Sequence, residues 1–143
     1  MLLQRLALRA VVACALLLAP VSARAWEGRV SWYGSEHGQA KNDVACSRRT
    51  VGHLAGRYNP QGMTAAHWTL PCGTRVQVTD LATGRSVEVT VNDRGPHPRL
   101  HRTLDLAQGA AERLGIVHRG VIHARLAIIG TPGAGRLRLA ASR

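Results

Sequence analysis

Two runs of strict alternation constrain this chain more than any other feature: Thr74-Arg75-Val76-Gln77-Val78-Thr79-Asp80 and Ser86-Val87-Glu88-Val89-Thr90-Val91, joined by Ala82-Thr83-Gly84-Arg85. A period of two marks a strand with one buried face, and two such runs linked by a glycine turn read as a hairpin. Two further segments extend the sheet. Gly28-Arg29-Val30-Ser31-Trp32-Tyr33-Gly34 reads as a short strand with Val30 and Trp32 on one face, and Val121 to Ile129 as an apolar, β-branched closing strand. A helix is expected in the stretch opened by Leu104-Asp105-Leu106-Ala107, where Leu106, Ala110, Arg113 and Leu114 share a helical face and Gly115 is the stop signal. The chain is therefore expected to be mainly β.

The segments between are loops. Ser35 to Gly62 is polar and without period, a length that requires either a function or a staple. Asn92 to Arg102 holds Gly95, Pro96 and Pro98. The tail from residue 131 to 143, with Arg136 and Arg138 among small residues, is expected to be a basic, mobile terminus.

At the N-terminus, Arg5 and Arg9 precede an apolar run from Ala10 to Ala19, then Pro20 and the small-residue site Ala23-Arg24-Ala25. This is the pattern of a secretory signal peptide, and its apolar run falls short of the roughly 20 residues that span a bilayer. Cleavage is expected after Ala25, leaving residues 26–143 with one domain over 26–130, in the periplasm or outside the cell. Val11-Val12-Ala13-Cys14 loosely resembles a lipobox, but Arg9 is too close and the apolar residues continue through Leu18, so no lipid anchor is expected.

Cys46 and Cys72 then remain, and in an oxidising compartment they are expected to form a disulfide. No CxxC pairing accompanies them, so neither a metal nor another cofactor is expected. Charge completes the frame. The chain carries 19 Lys and Arg against 8 Asp and Glu, and removal of Arg5, Arg9 and Arg24 leaves 16 against 8. Such a chain suits polyanionic partners. Export turns that expectation away from nucleic acid and towards peptidoglycan and anionic envelope surfaces, with the protein a monomer.

Taken together, Ser31-Trp32-Tyr33-Gly34, Thr64-Ala65-Ala66-His67-Trp68-Thr69-Leu70-Pro71-Cys72-Gly73-Thr74, Val91-Asn92-Asp93-Arg94-Gly95-Pro96 and Leu104-Asp105-Leu106-Ala107 resemble, in order and spacing, the motif series of RlpA-like (rare lipoprotein A) proteins. The resemblance covers about Gly28 to Ile129. It implies a six-stranded double-psi β-barrel with one or two short helices, a fold shared with expansins and barwin-like proteins. It also implies action on peptidoglycan glycan strands, some members being lytic transglycosylases that prefer strands stripped of stem peptides.

That reaction breaks the bond between N-acetylmuramic acid and N-acetylglucosamine and closes the muramic C6 hydroxyl onto C1 as a 1,6-anhydro ring. One carboxyl group suffices, acting first as acid and then as base. Asp93 is the first candidate by its place in the motif, with a turn-capping role or a pair with Arg94 as the alternative. Asp105 is the second; it matches the key Asp of expansin-like barrels, with a helix N-cap as the alternative. His67 matches the motif His and is expected to bond the acid or a sugar hydroxyl, or else to bridge loop backbone. Tyr33, Tyr58, Thr64, Trp68, Asn92 and Arg94 complete the substrate-binding candidates. Tyr58 and Trp68 are expected to be exposed for stacking on sugars, and Trp32 to pack in the core.

The sequence departs from the family pattern at one point. Active members carry a catalytic Glu in a Thr-Ala-x-Gly-Glu-like loop segment; here that position falls near Gly56, and the nearest loop acids are Glu36 and Asp43. The chain also stops soon after the barrel, before any SPOR-type domain, so targeting is expected to rest on the barrel and its charge. Two functions of different class follow: a lytic transglycosylase, and a non-catalytic, expansin-like wall-binding or wall-loosening barrel. A defence or inhibitor protein of barwin type is the third.

Overall fold

A computed structural model describes residues 24–34 and 43–132. The signal-like segment up to residue 23, Cys14 and the tail beyond residue 132 lie outside the described residues, as does Glu36. Six strands, β1 (Ala25–Tyr33), β2 (Thr64–Ala66), β3 (Arg75–Asp80), β4 (Ser86–Asp93), β5 (Leu104–Ala107) and β6 (Ile122–Gly130), close into a barrel in the order β1-β5-β2-β4-β3-β6. The pairs β1/β5 and β2/β4 are parallel and the other four antiparallel, in the double-psi β-barrel the motif series implied. Two short helices, α1 (Arg48–Val51) and α2 (Gln108–Leu114), lie outside it.

The expected hairpin is β3/β4, with Val76 opposite Val89 and Val78 opposite Val87. These valines, with Val91, Val30, Leu104, Leu106, Ile122, Ala124 and Leu126, fill the interior, and Leu114 and Ile116 close it from outside the sheet. Asp80 ends β3 fully buried; its carboxylate pairs with Arg119 and accepts from the Thr83 hydroxyl (2.7 Å) and the Ala82 amide (3.2 Å), which fixes the start of the hairpin turn. Helix α2 stops at Gly115, whose φ of 80° is the left-handed conformation that glycine adopts without strain.

One reading is corrected. Leu104–Ala107 is a strand rather than the first turn of a helix, and α2 starts at Gln108 with Ala107 as its N-cap, so Asp105 caps nothing. The strand is paired on both sides, to β1 and to β2, and all four residues are buried. A short strand covered on both faces loses its period-two signature, and Leu-Asp-Leu-Ala then merges with the helical pattern that follows it. The first strand is also longer than its sequence showed, beginning at Ala25 opposite Ala127 of β6.

The disulfide Cys46–Cys72, with Cα atoms 5.8 Å apart, ties the long loop to the segment before β3. The described part of that loop, from residue 43, contains α1 and is held by backbone bonds from Val44 to Gly56 (2.8 Å) and from Cys46 to Asn92 (3.1 Å). Its Val44 and Tyr58 pack with Tyr33, Ala66 and Ala107 in a second small cluster on the outside of the barrel.

Candidate active site

The cross-strand register assembles the site. Ser31 on β1 is opposite Asp105 on β5, Asp105 is opposite Ala66 on β2, and Ala66 is opposite Asp93 on β4. Directly opposed residues project from the same face, so Ser31, Asp105, Ala66 and Asp93 form one row on the outside of the barrel. The two Asp backbones are separated by two strand spacings, about 10 Å. Alanine between them leaves the row open.

Asp93 reaches this row through a bulge. Ala65 pairs with Val91, yet Ala66 pairs with Asp93, so Asn92 is the extra residue. Without it, alternation from the inward-facing Val91 would turn Asp93 towards the core; the bulge re-aims it outward. Asn92 itself is buried, donating its side-chain amide to the Leu54 carbonyl (2.9 Å). It therefore anchors the long loop.

Asp105 is 9 % exposed and lines an open cleft of about 530 Å³. Burial pushes its carboxyl above the ordinary carboxylate range, against the hydrogen bond from the Ser31 hydroxyl and the charge of Arg102, both of which favour ionisation. Tyr33, 8 % exposed, lines the same cleft, and its enclosed hydroxyl has no hydrogen-bond partner among the described residues. Burial, the adjacent Asp93, Tyr58 and Asp105 drive this phenol far above its usual range, so it stays a proton donor. Asp93 has its Oδ1 held by the amides of Ala45 (2.9 Å) and Arg94 (2.8 Å), one from the stapled loop and one from its own turn.

Trp68 forms part of the cleft wall, half exposed, its indole N–H donating to the Pro96 carbonyl. Trp32 packs against the barrel core, as expected of it, and also lines the cleft. Tyr58, in contrast to its expected exposure, is 6 % exposed: its hydroxyl donates to the Tyr33 carbonyl (2.7 Å) and accepts from the Gln108 amide (3.2 Å), with the two tyrosine rings 4.8 Å apart. It positions Tyr33. Thr64 is buried at the start of β2, opposite Thr90.

Arg94 lines the cleft, but its guanidinium donates to the carbonyls of His67 and Leu70 (2.8 Å each) and to Cys72 Sγ (3.2 Å), clamping the turn before the disulfide. It makes no ion pair with Asp93 among the described residues. His67 accepts the amides of Thr69 (3.1 Å) and Leu70 (3.0 Å) on Nδ1, so the neutral ring carries its proton on Nε2. Burial and then Arg94 lower its pKa. It faces a separate cavity of about 450 Å³ with Trp26 and Arg24, away from the lining of the Asp105 cleft.

The sequence by itself assigns no role to Ser31 or Arg102. Ser31 lay in a quoted motif, and two-residue alternation from Tyr33 would have put it on the Tyr33 face; Arg102 carried no signal beyond its place just before the Asp105 motif.

Comparisons with known proteins place the chain in a family. A family described as lytic transglycolase matches residues 26–126. A probable endolytic peptidoglycan transglycosylase RlpA from a Nostoc species is 44 % identical over 105 residues, covering 73 % of this chain and 26 % of that protein. The endolytic peptidoglycan transglycosylase RlpA of Neisseria meningitidis serogroup A is 41 % identical over 100 residues, covering 69 % and 37 %. The chain thus spans between about a quarter and somewhat over a third of these relatives' length. Among solved structures, a Streptomyces papain inhibitor superimposes with a TM-score of 0.55 at 24 % identity, covering 78 % of this chain and 98 % of its own. A Clavibacter michiganensis expansin does so at 0.53 and 24 %, covering 76 % and 52 %. Those two likenesses concern the fold. The family match over residues 26–126, together with relatives more than 40 % identical over most of its length, makes this chain a member of the RlpA-like lytic transglycolase family.

Proposed function

We propose that this chain is a lytic transglycosylase acting outside the cytoplasm on peptidoglycan glycan strands, with Asp105 as its acid. The observation that carries the reading is a carboxyl group whose burial favours its protonated form, facing an open cleft walled in part by a tryptophan. Asp105 donates its proton to the oxygen of the bond between muramic acid and N-acetylglucosamine, and the N-acetylglucosamine leaves with that proton. The muramic C6 hydroxyl then attacks C1, and its proton passes to the Asp105 carboxylate, which restores the acid. Ser31 holds one Asp105 oxygen in place during both transfers. Asp93, fixed through Oδ1, supplies negative charge opposite the positive charge that builds at C1. The Tyr33 hydroxyl lies close enough to both carboxylates to feel their charge and stays protonated beside them.

The choice of Asp105 over Asp93 rests on access: Asp105 lines the cleft, whereas one Asp93 oxygen is already engaged by two amides. The glycine near the place of the family's loop Glu suits a one-acid mechanism. The signal-like segment and relatives named as peptidoglycan transglycosylases support export, and the basic charge of the chain supports contact with anionic wall and membrane surfaces.

Digestion of purified glycan strands with the wild type, Asp105→Asn and Asp93→Asn, with 1,6-anhydro-muramic products read by mass spectrometry, tests this. Products from wild type, none from Asp105→Asn and a reduced yield from Asp93→Asn are expected. Strand capture by the wild type without any anhydro product would make the chain a binding barrel, and full activity in Asp105→Asn would move the acid to Asp93.

A further inference from the structure

We propose that Cys72 is a thiol-exchange site, at which a dithiol reductant opens the Cys46–Cys72 disulfide and so loosens the hold on Asp93. The exchange site rests on geometry alone; its effect on cleavage rests on the reading of Asp93 as part of the glycan-cleaving site. The disulfide meets three consecutive residues at the end of β4 from two sides. On one side the Cys46 amide donates to the Asn92 carbonyl (3.1 Å), and the neighbouring Ala45 amide to Asp93 Oδ1 (2.9 Å). On the other, Arg94 Nη2 donates to Cys72 Sγ (3.2 Å), while the carbonyls of His67 and Leu70 hold the same guanidinium in place (2.8 Å each).

A disulfide sulfur is a weak acceptor, so in the oxidised chain this guanidinium N–H is poorly matched. Once the bond opens, Cys72 can carry a charge, and the contact becomes charge-assisted. A cation beside a cysteine favours its thiolate, which makes the reduced state less costly than that of an ordinary structural disulfide. Access distinguishes the two sulfurs. Cys46 is 3 % exposed, whereas Cys72 is partly exposed in the turn between Pro71 and Gly73. The thiolate of the reductant therefore attacks Cys72 Sγ, the bond to Cys46 breaks, and Cys46 leaves with the electron pair and takes up a proton. The reductant's second sulfur, having lost its proton, attacks the first in the mixed disulfide and expels Cys72 as a thiolate beside Arg94. The reductant ends as a disulfide, two electrons poorer, with one proton on Cys46 and the other in water. Ala45 is then no longer tied to the segment before β3, and Asp93 loses one of its two fixed amides.

The test equilibrates the wild-type chain with mixtures of reduced and oxidised dithiothreitol and counts alkylated thiols by mass. Arg94→Gln is expected to need about a tenfold higher ratio of reduced to oxidised reagent for half-reduction, the scale of one charge-assisted contact. Arg94→Lys, which keeps the charge without the fork, is expected to fall between, and it decides the matter if the Gln variant does not fold. On reduction of the wild type, hydrogen exchange at the Ala45 amide is expected to quicken while the near-ultraviolet circular dichroism stays native. Strand cleavage is expected to fall several-fold and to return on reoxidation. Equal midpoints in wild type and both Arg94 variants, or a reduced chain that cleaves as the oxidised one does, would overturn the proposal. So would loss of the near-ultraviolet signal together with cleavage, which would make the disulfide a staple of the fold alone. If neither form cleaves, the transglycosylase reading fails, and shifted midpoints with faster Ala45 exchange still support the exchange site.

Discussion

Asp105, the acid of the proposed reaction, carries a stability cost. Its folded-state pKa is raised, so the native protein holds this proton more tightly than the unfolded chain, where a carboxyl titrates near about 3.9. Above the raised value the buried carboxylate destabilises the fold. As pH falls from neutrality through that value towards about 4 the contribution is recovered, and below both values it is flat. Asp105→Asn removes the ionisation and keeps an acceptor for Ser31, so the variant is expected to melt higher than wild type at pH 7, with the gap narrowing as pH falls, while losing about 10²-fold to 10⁴-fold of the strand-cleaving rate. Circular-dichroism melts across pH and product yields check the two halves; a variant that loses stability and activity together would make Asp105 a structural group. The motif directed attention to both Asp residues from sequence alone. Their ranking was not legible, because whether a carboxyl faces a cleft or a backbone amide depends on strand register, and Asp105 was read within a helical pattern.

The elements around the site act as clamps, and two of them can be tested separately. Cys46 and Cys72 are 26 positions apart, and opening a loop of that length costs about 3 kcal/mol on chain-entropy grounds. Cys46→Ser with Cys72→Ser is expected to lose that much stability in urea titration and, because Ala45 donates to Asp93 one residue from the staple, to lower the cleavage rate as well. At the far end of the hairpin, Arg119 foremost holds the Asp80 carboxyl at about 2, with help from Thr83 and Ala82, and burial opposes them. This depressed pKa has the opposite sign from Asp105: its stabilisation is present above the unfolded value and is lost as pH falls from about 4 through about 2. Asp80→Ala is expected to cost about 2 kcal/mol through the lost charge-assisted bonds, with no effect on strand binding, since Asp80 lies away from the cleft. The hairpin is legible because both its runs alternate, β1 because Val30 and Trp32 share a face, and β6 because it is apolar and β-branched. The Asn92 bulge left no mark on the hydrophobic pattern, since it adds a polar residue where a loop was already expected, and with it went the reason that Asp93 and Asp105 share a face.

At the scale of the molecule, a small closed barrel has a large excess of basic residues, and the polymer proposed as its substrate is anionic wherever its muramic carboxyls are free. Attraction of that kind is screened over about 8 Å at physiological ionic strength and over about 3 Å at 1 M. Capture on sacculi is therefore expected to weaken several-fold between low and high salt, measured by co-sedimentation, with the Asp105→Asn chain following the same salt curve as wild type. Charge gathers substrate; it does not decide the chemistry. Two carboxyl groups on one face are also what a hydrolase needs, one as acid and one as base for water. The account assigns the whole proton cycle to Asp105 and leaves water out of the reaction. Cleavage of glycan strands in heavy-oxygen water tests that assignment most directly: the account predicts anhydro-muramic ends, one water lighter than the hydrolytic product and free of the heavy isotope, and muramic reducing ends carrying that isotope would contradict it.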